Sequence, residues 1–122
     1  MNARALKKVR HERRRLRTRR NVFGTAERPR LAVHRSHLHI SAQIIDDVSG
    51  KTLVSAGTNA KDLREQVKQG ANCKAAALIG QVIAERARMQ GIKEVCFDRA
   101  GRRFHGRIKA LAEAARKTGL GF

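Results

Sequence analysis

The chain has 122 residues, room for one domain, and carries 28 Lys and Arg against 10 Asp and Glu, a formal net charge of +18; such an excess repels itself and favours a polyanionic partner. Hydrophobic residues make up 41%, enough for a core, but four Phe and no Trp or Tyr argue against a base-stacking platform of the single-strand-binding kind. No apolar run approaches the ~20 residues of a membrane span, and Cys73 and Cys96, without a CxxC, read as two reduced core thiols in a cytoplasmic protein.

Residues 1–20, MNARALKKVRHERRRLRTRR, hold ten basic residues and one acid, Glu12. Leu6, Val9 and Leu16 are the only sizeable apolar groups there, too few to bury, so this arm is expected to be disordered alone. Its Arg, Lys, Leu and Ala are good helix formers, and a polyanion that neutralises the charge would let it become helical. It lacks the serine enrichment of an organelle transit peptide. Arginine at this density suits phosphate. Arg4, Lys7, Lys8, Arg10, Arg13, Arg14, Arg15, Arg17, Arg19 and Arg20 are therefore assigned to phosphate neutralisation; a merely solubilising tail is the alternative. NVFGTAERP, 21–29, reads as a linker closed by Pro29. The chain divides into an arm and linker, 1–27, and a domain, 28–122.

From Arg30 the period becomes two. RLAVHRS and HISAQII read as strands joined at His37-Leu38. Setting Ser36 opposite His39 places His34 on Ser41, Ala32 on Gln43, Val33 on Ala42 and Leu31 on Ile44, so polar meets polar and apolar meets apolar. DDVSG, 46–50, is a second turn. TLVSAGT, 52–58, is a third strand, with Asp46 opposite Lys51 and Leu53 stacked on Ile44. One face of this meander is polar, carrying His34, Ser36, His39, Ser41, Gln43 and Thr58, with Arg30 and Arg35 at the strand ends.

KDLREQVKQ is expected to form a short helix. ANCKAAALIGQVIAERARMQG is a stronger one, with Ala75, Leu78, Ile79, Val82 and Ile83 as its stripe, Asn72 as N-cap and Gly91 just past its end. IKEVCF, 92–97, alternates as a strand. HGRIKALAEAARKTG closes the chain as a helix with Ile108, Leu111, Ala112 and Ala115 as its stripe and Gly119 as its stop. The order is βββ-α-β-α in a mixed α/β sheet, the last strand parallel to a meander strand after a helical crossover.

FDRAGRRFHGR, 97–107, is the stretch that most invites a chemical reading. Asp98 and His105 have no Ser, Cys or Thr between them, so a nucleophilic site is unsupported. Asp46, Asp47 and Asp98 do not converge as a metal-dependent nuclease requires, and the surplus arginine disfavours a bound cation. In HRSHLH, 34–39, His34 and His39 share a face but His37 sits in the turn and no cysteine is near, so a zinc site is unsupported as well. No GxxxxGK[ST] or GxGxxG is present. The glycines at 101 and 106 instead flank a strand-to-helix junction, where the helix N-terminus offers unpaired N–H groups. With Arg99, Arg102, Arg103 and Arg107, and with Phe104, His105 and Gly106 between them, the loop reads as a phosphate cradle. Asp98 is expected to orient Arg99, Arg102 or Arg103. No enzyme, cofactor or metal is expected.

RPRL at 28–31, HI.AQ.IDD at 39–47, FDR at 97–99 and FHGR.KALA.AAR at 104–116 closely resemble bacterial-type large-subunit ribosomal protein eighteen, in order over residues 28–122. The resemblance implies a ribonuclease-H-like topology, as in small-subunit ribosomal protein eleven, without the enzyme's carboxylates. It implies binding of 5S rRNA and its attachment to 23S rRNA in the central protuberance. It also implies contact with neighbouring ribosomal proteins, protein five being a candidate, as a monomer within the cytoplasmic ribosome. Two positions depart from the family pattern: His34 stands where an aromatic is frequent, and Phe104 where Tyr is common. A basic RNA-binding or nucleoid protein outside the ribosome is the alternative reading.

Overall fold

In a computed structural model of the chain, residues 2–59, 72–100 and 102–122 are described; the helix expected over 61–69 lies outside them. The elements run α1 (Ala3–Asn21), β1 (Arg30–Arg35), β2 (Ile40–Asp46), β3 (Lys51–Gly57), α2 (Cys73–Met89), β4 (Cys96–Asp98) and α3 (Arg107–Lys117). The four strands form one sheet in the order β3-β2-β1-β4. β1 and β2 pair antiparallel in the register expected from side-chain matching, Leu31 on Ile44, Val33 on Ala42 and His34 on Ser41. β4 lies parallel to β1, and α2 stands between β3 and β4 in the chain.

Two strand expectations are corrected. Asp46 does oppose Lys51, but a bulge follows: Ile45 meets Thr52 and Ile44 meets Val54. Leu53 is the extra residue, so Val54 is buried in the core while Leu53 packs half-buried against it. The last strand keeps only Cys96–Asp98 in the sheet, while Glu94 bridges to Gly121 instead. That bridge draws the C-terminus against the strand's approach, with Val95 N–H bonded to the Gly121 carbonyl and Gly121 N–H to the Lys93 carbonyl.

α2 and α3 pack side by side on one face of the sheet. Leu31, Val33, Ile40, Ala42, Ile44, Val54 and Ala56 from the strands meet Ile79, Ile83, Ile108 and Leu111 from the helices. Asn72 caps α2, its side-chain oxygen accepting from Ala75 N–H at 2.8 Å, and Gly91 follows it at φ +79°. The buried stripe of α2 is smaller than expected. Ala76, Gly80, Ala84 and Ala87 are buried beside Ala75, Ile79 and Ile83, while Leu78 and Val82 are half-buried. The reason is close approach to α3: a Cβ on Gly80 would lie 2.2 Å from the Leu111 carbonyl oxygen. α3 buries the expected Ile108, Leu111, Ala112 and Ala115, and ends before Gly119 at φ +112°.

Residues 3–21, rich in the helix formers noted above, form a 19-residue helix capped by Asn2, whose side chain accepts from Ala5 N–H. Nineteen residues is long enough for good helix formers to hold together. α1 adds nothing to the buried core, which begins at Pro29 and Leu31. Cys73 is exposed and Cys96 half-buried, and both are free thiols. Neither is a fully buried core residue, although burial raises the pKa of the Cys96 thiol.

Candidate nucleic-acid interface

The opposite sheet face is open to α1. His34 and Gln43 are exposed there, and Ser41 and His39 are half-buried. A cleft of about 490 Å³ runs between this face and the arm, lined by Arg15, Leu16 and Arg19 from α1 and by Ala32, His34, Ser41 and Gln43 from the strands. Its helix side is cationic, and its sheet side carries hydroxyl, amide and imidazole groups beside the ion-paired Arg30 and Asp98. That suits a strand whose sugar edge meets hydroxyl, amide and imidazole groups while its phosphates meet guanidinium.

A second cleft, of about 590 Å³, opens between α1 and the arginine loop. His11 and Arg14 line one wall; Arg99, Arg102, Arg103 and His105 line the other, with Arg35 from the end of β1. Five arginines around one concavity repel one another. Burial and the nearby Arg35 and Arg107 lower the Arg102 pKa, and burial followed by Arg102 and Arg14 lowers that of His11. A phosphate is the natural counter-charge for such a site. Sequence reading missed His11. A helical reading of the arm would have found it, because His11 and Arg14 are three apart and share a face.

The structure redistributes several expected contacts. Arg30 is buried: its Nε and Nη2 donate to Asp47 at 2.9 and 3.1 Å, and its Nη1 donates to Asp98 at 2.8 Å. Burial acts to lower its pKa, but the hydrogen bonds and charges of Asp47 and Asp98 outweigh it and leave the pKa raised. Arg30 thus has a structural role, and it also lines the first cleft. Asp98 orients Arg30 rather than a loop arginine, and its other oxygen accepts from Ala100 N–H at 2.9 Å. Asp46 closes its own turn, its carboxylate accepting from Val48 N–H and the Ser49 hydroxyl, while its backbone opposes Lys51 as expected. Thr58 is buried inside the fold, its hydroxyl accepting from Ile40 N–H and lying 3.1 Å from His39 Nδ1. That removes Thr58 from the polar face and leaves it fixing His39. The Ser36 hydroxyl is engaged with the backbone of His39 across the hairpin turn.

The loop itself is braced. Arg107 Nη1 donates to the Ser36 carbonyl at 3.1 Å, tying the start of α3 to the hairpin turn. Gly106 precedes α3 at φ +60° with no side-chain cap, so the first N–H groups of the helix are not capped by a side chain. Phe104 is 37% exposed, which leaves one part of the ring accessible. It packs edge-on against Phe97 at 6.1 Å, and the Arg116 guanidinium lies 5.8 Å from its centroid. Arg4, Lys7, Lys8, Arg10, Arg13, Arg17 and Arg20 are exposed on α1, with Arg15 also paired to Glu12 at 2.9 Å. Among the described residues no group of three or more His, Cys, Asp or Glu could hold a metal ion, and no helix is long and apolar enough to cross a membrane.

Asp47 gives this site a pH dependence in stability. The Arg30 guanidinium, helped by Gly24 N–H and opposed by burial, holds the Asp47 carboxyl below its ordinary value. Because the folded-state pKa is depressed, the stabilisation is complete above about pH 4, the ordinary aspartate value, and is lost as pH falls through the folded value. Acid unfolding of an Asp47→Asn chain, followed by circular dichroism, is expected to show a shallower dependence below pH 4 than the parent.

Residues 5–122 match the family described as ribosomal L18 of archaea, bacteria, mitochondria and chloroplasts. The chain is 58% identical to the large ribosomal subunit protein uL18 of Synechococcus sp., over 95% of this chain and 97% of that protein. It is 55% identical to the protein of the same name from Kosmotoga olearia, over 96% and 93%, and 54% identical to that from Dictyoglomus thermophilum, over 96% and 93%.

Proposed function

The chain belongs to the ribosomal L18 family, and is therefore a structural constituent of the large ribosomal subunit and not an enzyme; on that premise we propose that it binds 5S rRNA and helps attach it to 23S rRNA in the central protuberance. The observation that carries this reading is the pair of clefts that α1 makes with the sheet and with the arginine loop. One offers guanidinium groups to phosphates, the other hydroxyl, amide and imidazole groups to the sugar edge, and structured RNA presents both at once. Neighbouring ribosomal proteins, with protein five as a candidate, would meet surfaces the RNA leaves uncovered. The place of action is the cytoplasmic ribosome, with one copy per particle. Arg4, Lys7, Lys8, Arg10, Arg13, Arg14, Arg15, Arg17, Arg19 and Arg20 supply the sequence-independent attraction. His34, His39, Ser41 and Gln43 meet the sugar edge, and Arg35, Arg99, Arg102 and Arg103 hold backbone, with Phe104 and His105 at the rim.

Changing Arg99, Arg102 and Arg103 together to Ala tests the cradle. RNA affinity is expected to fall, each lost phosphate contact reducing the salt slope by about 0.9. Melting without RNA is expected to hold or rise, because mutual repulsion is relieved. A sharp fall in melting temperature would make the loop structural instead.

Proton linkage gives a second test. Burial, followed by Arg102 and Arg14, lowers the His11 pKa in the free protein. A phosphate in the cleft reverses that field and raises the His11 pKa. A group whose pKa is higher in the complex takes up a proton on binding, so affinity is expected to increase as pH falls through the bound-state value. Calorimetric titration in buffers of different ionisation enthalpy should show proton uptake on binding, and His11→Gln should reduce it.

A further inference from the structure

Both cationic surfaces are anchored to one small ion network. Asp47 Oδ2 accepts from Gly24 N–H at 2.8 Å, and Asp47 N–H donates to the Gly24 carbonyl at 3.0 Å. Gly24 is clamped so tightly that a Cβ there would lie 2.4 Å from the Arg30 nitrogen and 2.6 Å from the Ile45 carbonyl oxygen. Only Val22 and Phe23 separate this clamp from the last residue of α1. Asp47 Oδ1 lies 3.8 Å from Arg19 Nη2, a second and weaker hold on the helix. On its inner side Asp47 grips Arg30, which grips Asp98, which accepts from Ala100 N–H at the start of the arginine loop. Ala100 itself sits at φ +55°, a conformation a non-glycine residue keeps only when its surroundings fix it.

We propose that Asp47 is a positioning residue for RNA binding: with Arg30 and Asp98 it sets the direction in which α1 leaves the body and so the width of the clefts between the arm and the rest. This rests on the RNA-binding reading above. It runs against simple electrostatics, and that makes it testable. Asp47 is an acid on a polycation, so its removal raises the net charge by one and, by charge alone, strengthens the grip on any polyanion. A positioning role has the opposite sign. An arm that swings freely loses the preorganisation that lets its cations act together with the loop, and affinity for structured RNA falls.

The experiment uses the full chain. Cys73→Ser and Cys96→Ser remove the native thiols, and spin labels go on Leu6→Cys and Met89→Cys, both exposed. The distance between them is measured without RNA, and affinity for 5S rRNA is measured alongside melting. Asp47→Ala is expected to broaden a single narrow distance, to weaken 5S rRNA binding about tenfold and to flatten the salt slope, at temperatures where the variant is fully folded. Asp47→Asn keeps an oxygen for Gly24 N–H but sheds the charge facing Arg30 and Arg19, and should fall between the two. An unchanged distance distribution, or an affinity that rises in both variants, overturns the proposal. Absence of any 5S preference in the parent chain would sink the RNA reading alone, because the distances are read in the free protein.

Discussion

Deleting residues 1–20 is expected to leave the domain folded while lowering its affinity for rRNA by about 10²–10³-fold near 0.15 M salt. The fold should survive because no described residue of α1 belongs to the buried core. The affinity should fall because the deletion removes ten of the 28 Lys and Arg. The arm is helical, and this bounds the size of the effect. Cations at successive positions of a helix point in all directions, 100° apart, so one RNA surface can meet only about half of them. Four or five lost phosphate contacts would reduce the slope of log K against log salt by roughly four. Filter-binding titrations over 50–300 mM KCl measure it. An unchanged slope would show that α1 does not lie on phosphate, and melting that collapses with the deletion would show that the arm supports the core.

Arg30→Ala is expected to be the most damaging single substitution for stability, at about 3–5 kcal/mol. The change leaves the Asp47 and Asp98 carboxylates, 10% and 4% exposed, facing each other across the space of a missing cation. For a domain of this size the melting temperature should drop by roughly 10 °C or more. The pH dependence should also change sign. In the parent chain the Asp47 pKa is depressed, so acidification removes stability. Without Arg30, burial and the facing Asp98 raise the Asp47 carboxyl pKa, and protonation of Asp47 relieves the strain. The variant should therefore recover stability on mild acidification, where the parent holds steady and then loses it. Calorimetry at pH 7 and pH 5 separates the two. A variant that melts within a degree or two of the parent would contradict the structural role given to Arg30.

Arg30 also shows where the sequence was legible and where it was not. Its place at the start of β1 followed from period-two alternation, and the hairpin register followed from matching polar and apolar partners. Both depend on neighbours in one ladder, and the residues that carry them are close in sequence. What Arg30 touches was not legible, because Asp98 is 68 positions away and nothing local distinguishes an arginine bound for a buried carboxylate from one bound for a phosphate. The same limit assigned Asp98 to the wrong arginines and Thr58 to the open face. The bulge at Leu53 escaped because a period-two pattern carries no mark of an inserted residue until the partner strand is in place. The stripe on α2 was drawn through Leu78 and Val82 on hydrophobicity, while the packing was set by how closely Gly80 and Ala84 let α3 approach. The charge of the arm and its helix-forming residues were both plain, and the helix spans Ala3–Asn21. The clustering of arginines in the loop was legible. The clefts were not, since each needs α1 placed against the body through the Gly24 clamp.

Competition binding to 5S rRNA tests the central claim most directly: that these cations are arranged on a rigid scaffold to hold one structured RNA. With labelled 5S rRNA and a large excess of unlabelled transfer RNA, the complex should persist, and chemical probing should show protection confined to one contiguous region of the 5S molecule. Displacement by transfer RNA as readily as by 5S rRNA, with protection scattered along the strand, would contradict it.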